Sequence, residues 1–403
     1  MKISIVSSIL GHGTILQDSG SALILLASTR GRNDDINVIT WKRALDSTRD
    51  SFKSTKIYEV FDSNHALSIM RYFKILKRIT SEIYIYNLMP TAYGNSSIAN
   101  FVGLIMPLYT KKILRRNTVV IYHNSTYTND PFKLGYTGFF NLIRYSVLKH
   151  VEKALFTGIE TYFLTEAYRD ILFSKLSKAR VHTIHLPYFQ VLDTLYLNEL
   201  EDLEGISVTS GQIPRILLFG SWGPQKNPRE ALECLQELKK EGKAFRLTVA
   251  GSVNEHFPNL QESYEGMFDE FKDIIERRLQ WVPEIEIVDL FTETDLVVIP
   301  YNSPGGFSSV LALSMFFERD AIISDFPEYR EQAIEYNRKL FYKEGELCDK
   351  VKYYIDSLFV ANNIVEVRIK ERIDSMKREF YKFLDRQVQE PVQGSQDNKS
   401  IST

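Results

Sequence analysis

Short apolar runs alternate with longer amphipathic stretches along the first half of the chain. Lys2 to Ile9, Asn37 to Thr40, Ile83 to Tyr86, Val119 to Tyr122, Thr161 to Leu164 and Val181 to Ile184 read as strands. Their apolarity is continuous rather than alternating, as a strand covered on both faces of a parallel sheet requires. Between them, Ala22 to Ala27, Ala66 to Lys77 and Phe139 to Lys153 carry helical patterns. That order predicts a doubly wound α/β domain over residues 1–195.

The pattern pauses between Leu192 and Gln212. There "EDLEGISVTSGQIP" is acidic, then rich in serine and glycine, and is closed by Pro214, so residues 196–212 read as a linker. It restarts as a "RILLFG" strand, a "PREALECLQELKKEG" helix, an "FRLTVAG" strand and an "FDEFKDIIERRL" helix. After "IEIVDLF" come a "DLVVIPY" strand, an "SSVLALSMFF" helix and an "AIISD" strand. This is a second doubly wound domain, over residues 213–370. The helical pattern from Ile364 to Arg386 is long for the end of one domain, and residues 371–388 are assigned to a helix crossing back to the first. Residues 389–403 are polar and predicted to be disordered. A length of 403 residues also exceeds what one core usually holds. Two such domains place the carboxyl ends of both sheets around a shared cleft, where open α/β sheets bind ligands.

Composition narrows the classes. A net charge of -2 supplies no general attraction for nucleic acid. Two cysteines, Cys234 and Cys348, make neither a disulfide framework nor a zinc site, and their scarcity fits a reducing compartment. "MKISIVSSIL" lacks the apolar region and cleavage site of a signal peptide, and no run reaches the length of a membrane span. The chain is therefore expected in the cytoplasm, with the sequons at Asn95, Asn124 and Asn398 accidental.

Candidate chemistry lies after the strands. "GHGT", with Gly11 and Gly13, follows the first strand, where glycine amides can form an anion nest or simply a flexible turn. His123 follows "VVIY" directly, beside Asn124, Ser125 and Thr126. His182 and His185 have no third ligand nearby, so they do not read as a metal site. Gly220 and Ser221 end another strand, and Lys226 follows six residues after the glycine. It is placed to reach an anion, although most lysines are solvated surface groups. After "DLVVIPY", Gly305 and Gly306 precede a helix too apolar to be exposed on any face. Ser308 or Ser309 is its natural N-cap, and the amides of Ser309, Val310 and Leu311 carry the positive end of its dipole, a seat for phosphate. The competing reading is an ordinary capped core helix.

"FGSWGPQKN", "LTVAGS", "TDLVVIPY" and "GGFSSVLALSMFFERDAIISDFPEYRE", with "VVIYHNS" and "TYFLTEAYRDIL" before them, resemble the retaining GT-B glycosyltransferases of the family 4 group. The likeness runs over roughly residues 1–385. It implies a GT-B fold, two Rossmann-like doubly wound domains facing a central cleft. By the same resemblance Gly11 and Gly13 face donor phosphate and acceptor, and His123 lies near the transferring sugar. Lys226, with Gly220 and Ser221, contacts the diphosphate, and Gly305, Gly306, Phe307, Ser308, Ser309 and Val310 bring the helix N-terminus under it. Val282 and Pro283 border the nucleotide base.

The chain departs from that family at three places. Ser221 stands where an arginine is usual, and the two glutamates of the family fall on Gly305 and Leu313. The first of those usually approaches the donor sugar and the second holds the ribose. The implied activity is transfer of a sugar, with retention, from a nucleotide diphosphate-sugar to a hydroxyl of a glycan or lipid-linked glycan. The nucleotide-sugar is the substrate, and no cofactor or metal is implied. The alternatives are a catalytically silent nucleotide-sugar-binding or scaffold member of the same fold, and a sugar epimerase. "IANFVGLIMPLYTKKILRR" joins an apolar run to Lys111, Lys112, Arg115 and Arg116. It suits peripheral contact with an anionic membrane, or a core helix with a basic C-terminal turn.

Overall fold

A computed structural model describes residues 2–7, 35–41, 55–61, 66–88, 97–123, 125–127, 139–184, 213–253, 260–278, 280, 282–303, 306–334, 336–357, 377–378 and 380–387. Gly11, Gly13, Gly305, Asn95, Asn124, His185 and Asn398 lie outside the described residues. So do Ala22 to Ala27, the linker 196–212 and the tail 389–403. The chain divides into two compact units: Met1–Tyr127, Ser146–Val191 and Lys370–Thr403 form one, Thr128–Tyr145 and Leu192–Ile369 the other.

The first unit contains β1 (Lys2–Ser7), β2 (Asp35–Trp41), β3 (Thr55–Phe61), α1 (Ala66–Arg78), β4 (Ile83–Leu88), α2 (Ser97–Leu108) and β5 (Thr118–Tyr122). Then follow α3 (Phe139–Gly158), which belongs to this unit from Ser146 onward, β6 (Glu160–Phe163), α4 (Glu166–Lys175) and β7 (Val181–Thr183). Its strands are parallel and ordered β3-β2-β1-β4-β5-β6-β7. Every residue of β4 and β5 is buried, which explains their unbroken apolarity.

The second unit begins with β8 (Arg215–Phe219), α5 (Pro228–Lys240), β9 (Arg246–Ala250), α6 (Gln261–Glu270), β10 (Ile275–Arg278) and α7 (Glu284–Thr292). β11 (Leu296–Ile299), α8 (Ser309–Phe316), β12 (Asp320–Ser324), α9 (Pro327–Gln332), β13 (Lys339–Tyr342) and α10 (Leu347–Ser357) complete it. The order is β10-β9-β8-β11-β12-β13, again parallel throughout. In both sheets the strand order reverses beside the first strand, between β1 and β4 and between β8 and β11. Ligands of open α/β sheets bind at such switch points, past the carboxyl ends of the strands.

Two expectations need correction. "FDEFKDIIERRL" is not one helix: α6 stops at Glu270, and Ile275–Arg278 pairs in parallel with β9 as an edge strand. The edge strands β3 and β13 were also not predicted. The apolar run before Lys111 packs into its own unit: Leu104 and Met106 are buried, and the buried Thr110 hydroxyl lies 2.5 Å from the Tyr86 hydroxyl. Among the described residues no helix is long and apolar enough to cross a membrane. At the chain end, residues 380–387 are helical. Phe383 meets the Tyr162 ring edge-on at 4.8 Å, Gln387 donates to the Tyr162 hydroxyl at 2.6 Å, and its carbonyl accepts from Asn117 at 2.9 Å.

At the end of β8 and β9 two backbones come unusually close. Gly251 has φ +118°, and a Cβ there would lie 1.9 Å from the Gly220 carbonyl oxygen, a backbone atom that cannot swing aside. Gly220 itself has φ +147°. Gly251→Ala should therefore cost about 3 kcal/mol or more, from overpacking and backbone strain together. Urea unfolding of the variant against the wild type measures this.

Candidate functional site

In the second unit the residues past β8 and β11 converge. A Cβ on Gly220 would stand 3.6 Å from Val310 Cγ2 and 4.0 Å from Lys226 Nζ, so the glycine, the lysine and the first turn of α8 share one spot at the switch point. The turn carrying Lys226 is fixed by its surroundings. The Lys226 amide donates to the Gly223 carbonyl at 3.0 Å, and the Tyr264 hydroxyl donates to the same oxygen at 2.7 Å. Asn227, left-handed at φ 35°, then reverses the chain into Pro228, whose fixed φ suits the first position of α5. Lys226 Nζ donates to the Tyr301 hydroxyl at 2.5 Å and lies 3.8 Å from that ring's centre. Tyr301 is itself buried and meets Tyr329 edge-on at 5.8 Å. The ammonium is thus half-buried and held by a neutral aromatic partner.

α8 starts as the sequence predicts. Ser308 is the N-cap, in extended conformation, and its hydroxyl accepts the Leu311 amide at 3.2 Å. The Leu311 amide is therefore occupied, contrary to the expectation of three open amides. Ser309 and Val310 remain, without a hydrogen-bond acceptor among the described residues. The cap is clamped from α9: Gln332 Oε1 accepts the Ser308 amide at 2.9 Å and Gln332 Nε2 donates to the Ser308 carbonyl at 2.7 Å. Nothing in "EYREQ" singles out Gln332, and only the 24-residue return through β12 brings it there. Among the described residues, the buried Ser303 hydroxyl and both oxygens of the buried Glu328 carboxyl have no hydrogen-bond partner, and burial raises the Glu328 pKa.

The remaining predicted residues of this unit are more scattered. Gly306 is buried, Phe307 half-buried, and Ser221 exposed. Val282 is buried and Pro283 exposed at the start of α7, past the end of β10, two strands away from β8. Leu313 is buried inside α8.

In the first unit His123 sits past β5. Its amide donates to the Leu88 carbonyl at 3.1 Å, and Nε2 lies 2.6 Å from Asn87 Oδ1. Asn87 in turn donates to the Ser7 hydroxyl at 3.1 Å, so a polar chain Ser7–Asn87–His123 bridges the β1/β4 switch point and its neighbour β5. Since the amide oxygen accepts, Nε2 carries the proton of the neutral ring. Desolvation lowers the His123 pKa to about 4. Asn87 and Ser7 were not found from the sequence, where they read as ordinary strand positions. His182 bonds Glu160 at 2.6 Å, and no group of three metal-ligating side chains occurs among the described residues.

With this geometry in view, the chain was compared with known proteins. No family model matches it, and no curated sequence does. Solved structures do. Sucrose-phosphate synthase from Thermosynechococcus elongatus aligns over 96% of this chain and 98% of its own, at 11% identity and TM-score 0.68. HepE from Anabaena, crystallised with UDP-glucose, aligns over 96% and 100% at 13% identity and TM-score 0.63. UDP-N-acetylglucosamine 2-epimerase from Rickettsia bellii aligns over 96% and 97% at 14% identity and TM-score 0.54. The fold is GT-B glycosyltransferase-like.

Two measurements probe the site without a ligand. Gln332→Ala removes both bonds to the Ser308 backbone and should cost about 2 kcal/mol in urea unfolding. His123 binds its proton more weakly folded than unfolded, so the stability it contributes is complete above about pH 6.5 and is lost as pH falls toward about 4. The loss is at most about 3 kcal/mol, because the ring keeps some exposure. His123→Gln should remove this contribution, which is read as the difference between the variant and wild-type stability-versus-pH curves.

Proposed function

We propose that the chain is a retaining glycosyltransferase, moving a sugar from a nucleotide diphosphate donor to a hydroxyl of a glycan or lipid-linked glycan. The observation that carries this reading is the meeting of Gly220, Lys226 and the first turn of α8 at the switch point of the second sheet. HepE, of the same fold, holds UDP-glucose, which makes UDP-sugars the first donors to try.

The chemistry turns on a leaving group. As the glycosidic bond to the diphosphate breaks, negative charge grows on the phosphate oxygens. The Lys226 ammonium and the Ser309 and Val310 amides would receive it. All three are fixed before the reaction, Lys226 by its turn and Tyr301, the amides by the Ser308 cap and Gln332, so little reorganisation accompanies the charge. No metal is invoked, since lysine and helix dipole supply the positive potential. Gly220 leaves the space beside the lysine open: a Cβ there would stand in ordinary contact with Val310 and Lys226, and its φ of +147° favours glycine. His123 is assigned to the hydroxyls of the transferring sugar, as a neutral ring oriented by Asn87.

A second reading, binding of a nucleotide-sugar without turnover, is favoured by one observation. Leu313 is buried in α8, so no carboxylate stands at the position where relatives of this type hold the ribose. Release of UDP from UDP-glucose in the presence of candidate acceptors separates the two. For the enzyme, Lys226→Ala should lower turnover by about a hundredfold, the effect of losing roughly 3 kcal/mol of transition-state stabilisation. Near-normal turnover in that variant removes the lysine from the mechanism, and UDP binding without release supports the silent reading.

A further inference from the structure

Behind His123 lies a carboxylate that the mechanism above does not use. Glu152, on α3, is fully buried. It accepts from the Tyr122 hydroxyl at 2.6 Å, the Ser125 hydroxyl at 3.1 Å and the Thr126 hydroxyl at 2.5 Å. The Thr126 amide donates to both its oxygens, at 3.0 and 3.2 Å. Residues 122, 125 and 126 flank His123, so one side chain gathers the chain on both sides of the histidine. The loop is also tied to α4: the Ser125 amide donates to the Tyr168 hydroxyl at 2.5 Å, and Lys175 donates to the Tyr127 carbonyl at 2.6 Å.

We infer that Glu152 is a positioning residue for His123, fixing the exit from β5 so that the imidazole is presented in one orientation. The inference rests on the reading of His123 as a contact of the transferring sugar. Its physical basis is directional. An amide and three hydroxyls all point hydrogens at the carboxyl group, an arrangement that an ionised carboxylate satisfies and a protonated or amidated one does not. Burying an anion in an apolar shell without such donors would cost several kcal/mol. With them it costs less, yet burial still raises the pKa of Glu152 to about 7. The clamp is therefore complete above about pH 7 and loosens as pH falls and the carboxyl group takes up a proton.

The ionisable groups around it are Tyr122 on β5, His123 and Tyr127 in the loop, Lys149 on α3, and Tyr168 and Lys175 on α4. His123 is neutral throughout that range, and burial raises the Tyr127 pKa further above its usual value. Neither changes charge as Glu152 does.

The test uses the full chain. UDP release from UDP-glucose is followed from pH 5.5 to 8.5 in wild type, Glu152→Gln and Tyr122→Phe, with UDP affinity and thermal unfolding measured beside it. In wild type turnover should rise through about pH 7. Glu152→Gln should lose at least tenfold in kcat with UDP affinity changed less than twofold, and should lack that rise. Tyr122→Phe removes one donor to the anion, so its rise should move to higher pH, which a merely structural role would not produce. Wild-type kcat and pH profile in Glu152→Gln would overturn the inference, as would an unmoved rise in a folded Tyr122→Phe if Glu152→Gln does not fold. If the wild type releases no UDP, the enzymatic reading fails separately. Imidazole NMR then decides, with His123→Gln for assignment: the His123 signals should shift near pH 7 in wild type, at higher pH in Tyr122→Phe and not at all in Glu152→Gln, and identical titrations in wild type and the folded variants would sink it.

Discussion

A helix with no exposed face has an unavoidable problem at its first turn. α8 buries Val310 through Phe316, so water reaches it poorly, and its leading amides have no partner within the helix. Leaving such groups unbonded costs about as much as a lost hydrogen bond each. The chain answers part of this with the Ser308 hydroxyl and secures that cap through Gln332. Among the described residues the Ser309 and Val310 amides, at the switch point of the sheet, meet no acceptor. Everything proposed for the donor follows from that remainder: positive potential, fixed in place, beside a lysine whose ammonium rests on a tyrosine.

The same tension appears in the first unit with the signs reversed. There the buried charge is the Glu152 carboxylate, and four donors from the end of β5 and the loop after it are turned inward to meet it. His123, within that same stretch of chain, is kept neutral by burial. Their linkage to folding runs in opposite directions. As pH falls from about 7, Glu152 takes up a proton more readily folded than unfolded and stabilises the fold, whereas His123 resists protonation and destabilises it. The two effects offset between about pH 4.5 and 6.5. A flat stability curve for the wild type in that range is thus no sign that neither group titrates.

Central strands were legible in the sequence because burial on both faces leaves an unbroken apolar run, as in β4, β5 and β11. The strands that escaped, β3, β10 and β13, all lie at sheet edges. There one side meets solvent, charged residues such as Lys56, Glu276 and Lys339 are tolerated, and "DIIERRL" imitates a helix end. The site divides along a similar line. Ser308 as N-cap and Lys226 ahead of α5 follow from local patterns, since caps and turn lysines are set by residues a few positions away. Gln332, Tyr301, Asn87 and Glu152 do not. Each acts on a residue between 24 and 75 positions off, through a register that exists only once the sheet is formed.

The missing glutamates can be placed in the same physical terms. A carboxylate at position 313 would be buried within α8, where the neighbouring Ser314 hydroxyl is already bonded to the Val310 carbonyl at 2.9 Å. An anion there would need a ligand hydroxyl to offset its burial. Leucine removes that requirement and makes α8 a better core helix. On the proposed function it would also shift the work of holding a donor toward main-chain amides and Lys226, which suit phosphate but not the identity of a sugar. Among the described residues, the Ser303 hydroxyl and the Glu328 carboxyl are buried without hydrogen-bond partners past the adjoining strands β11 and β12. On the proposed function, Lys226 and the main-chain amides would serve any diphosphate, and selectivity among donors would have to come from other polar groups such as these.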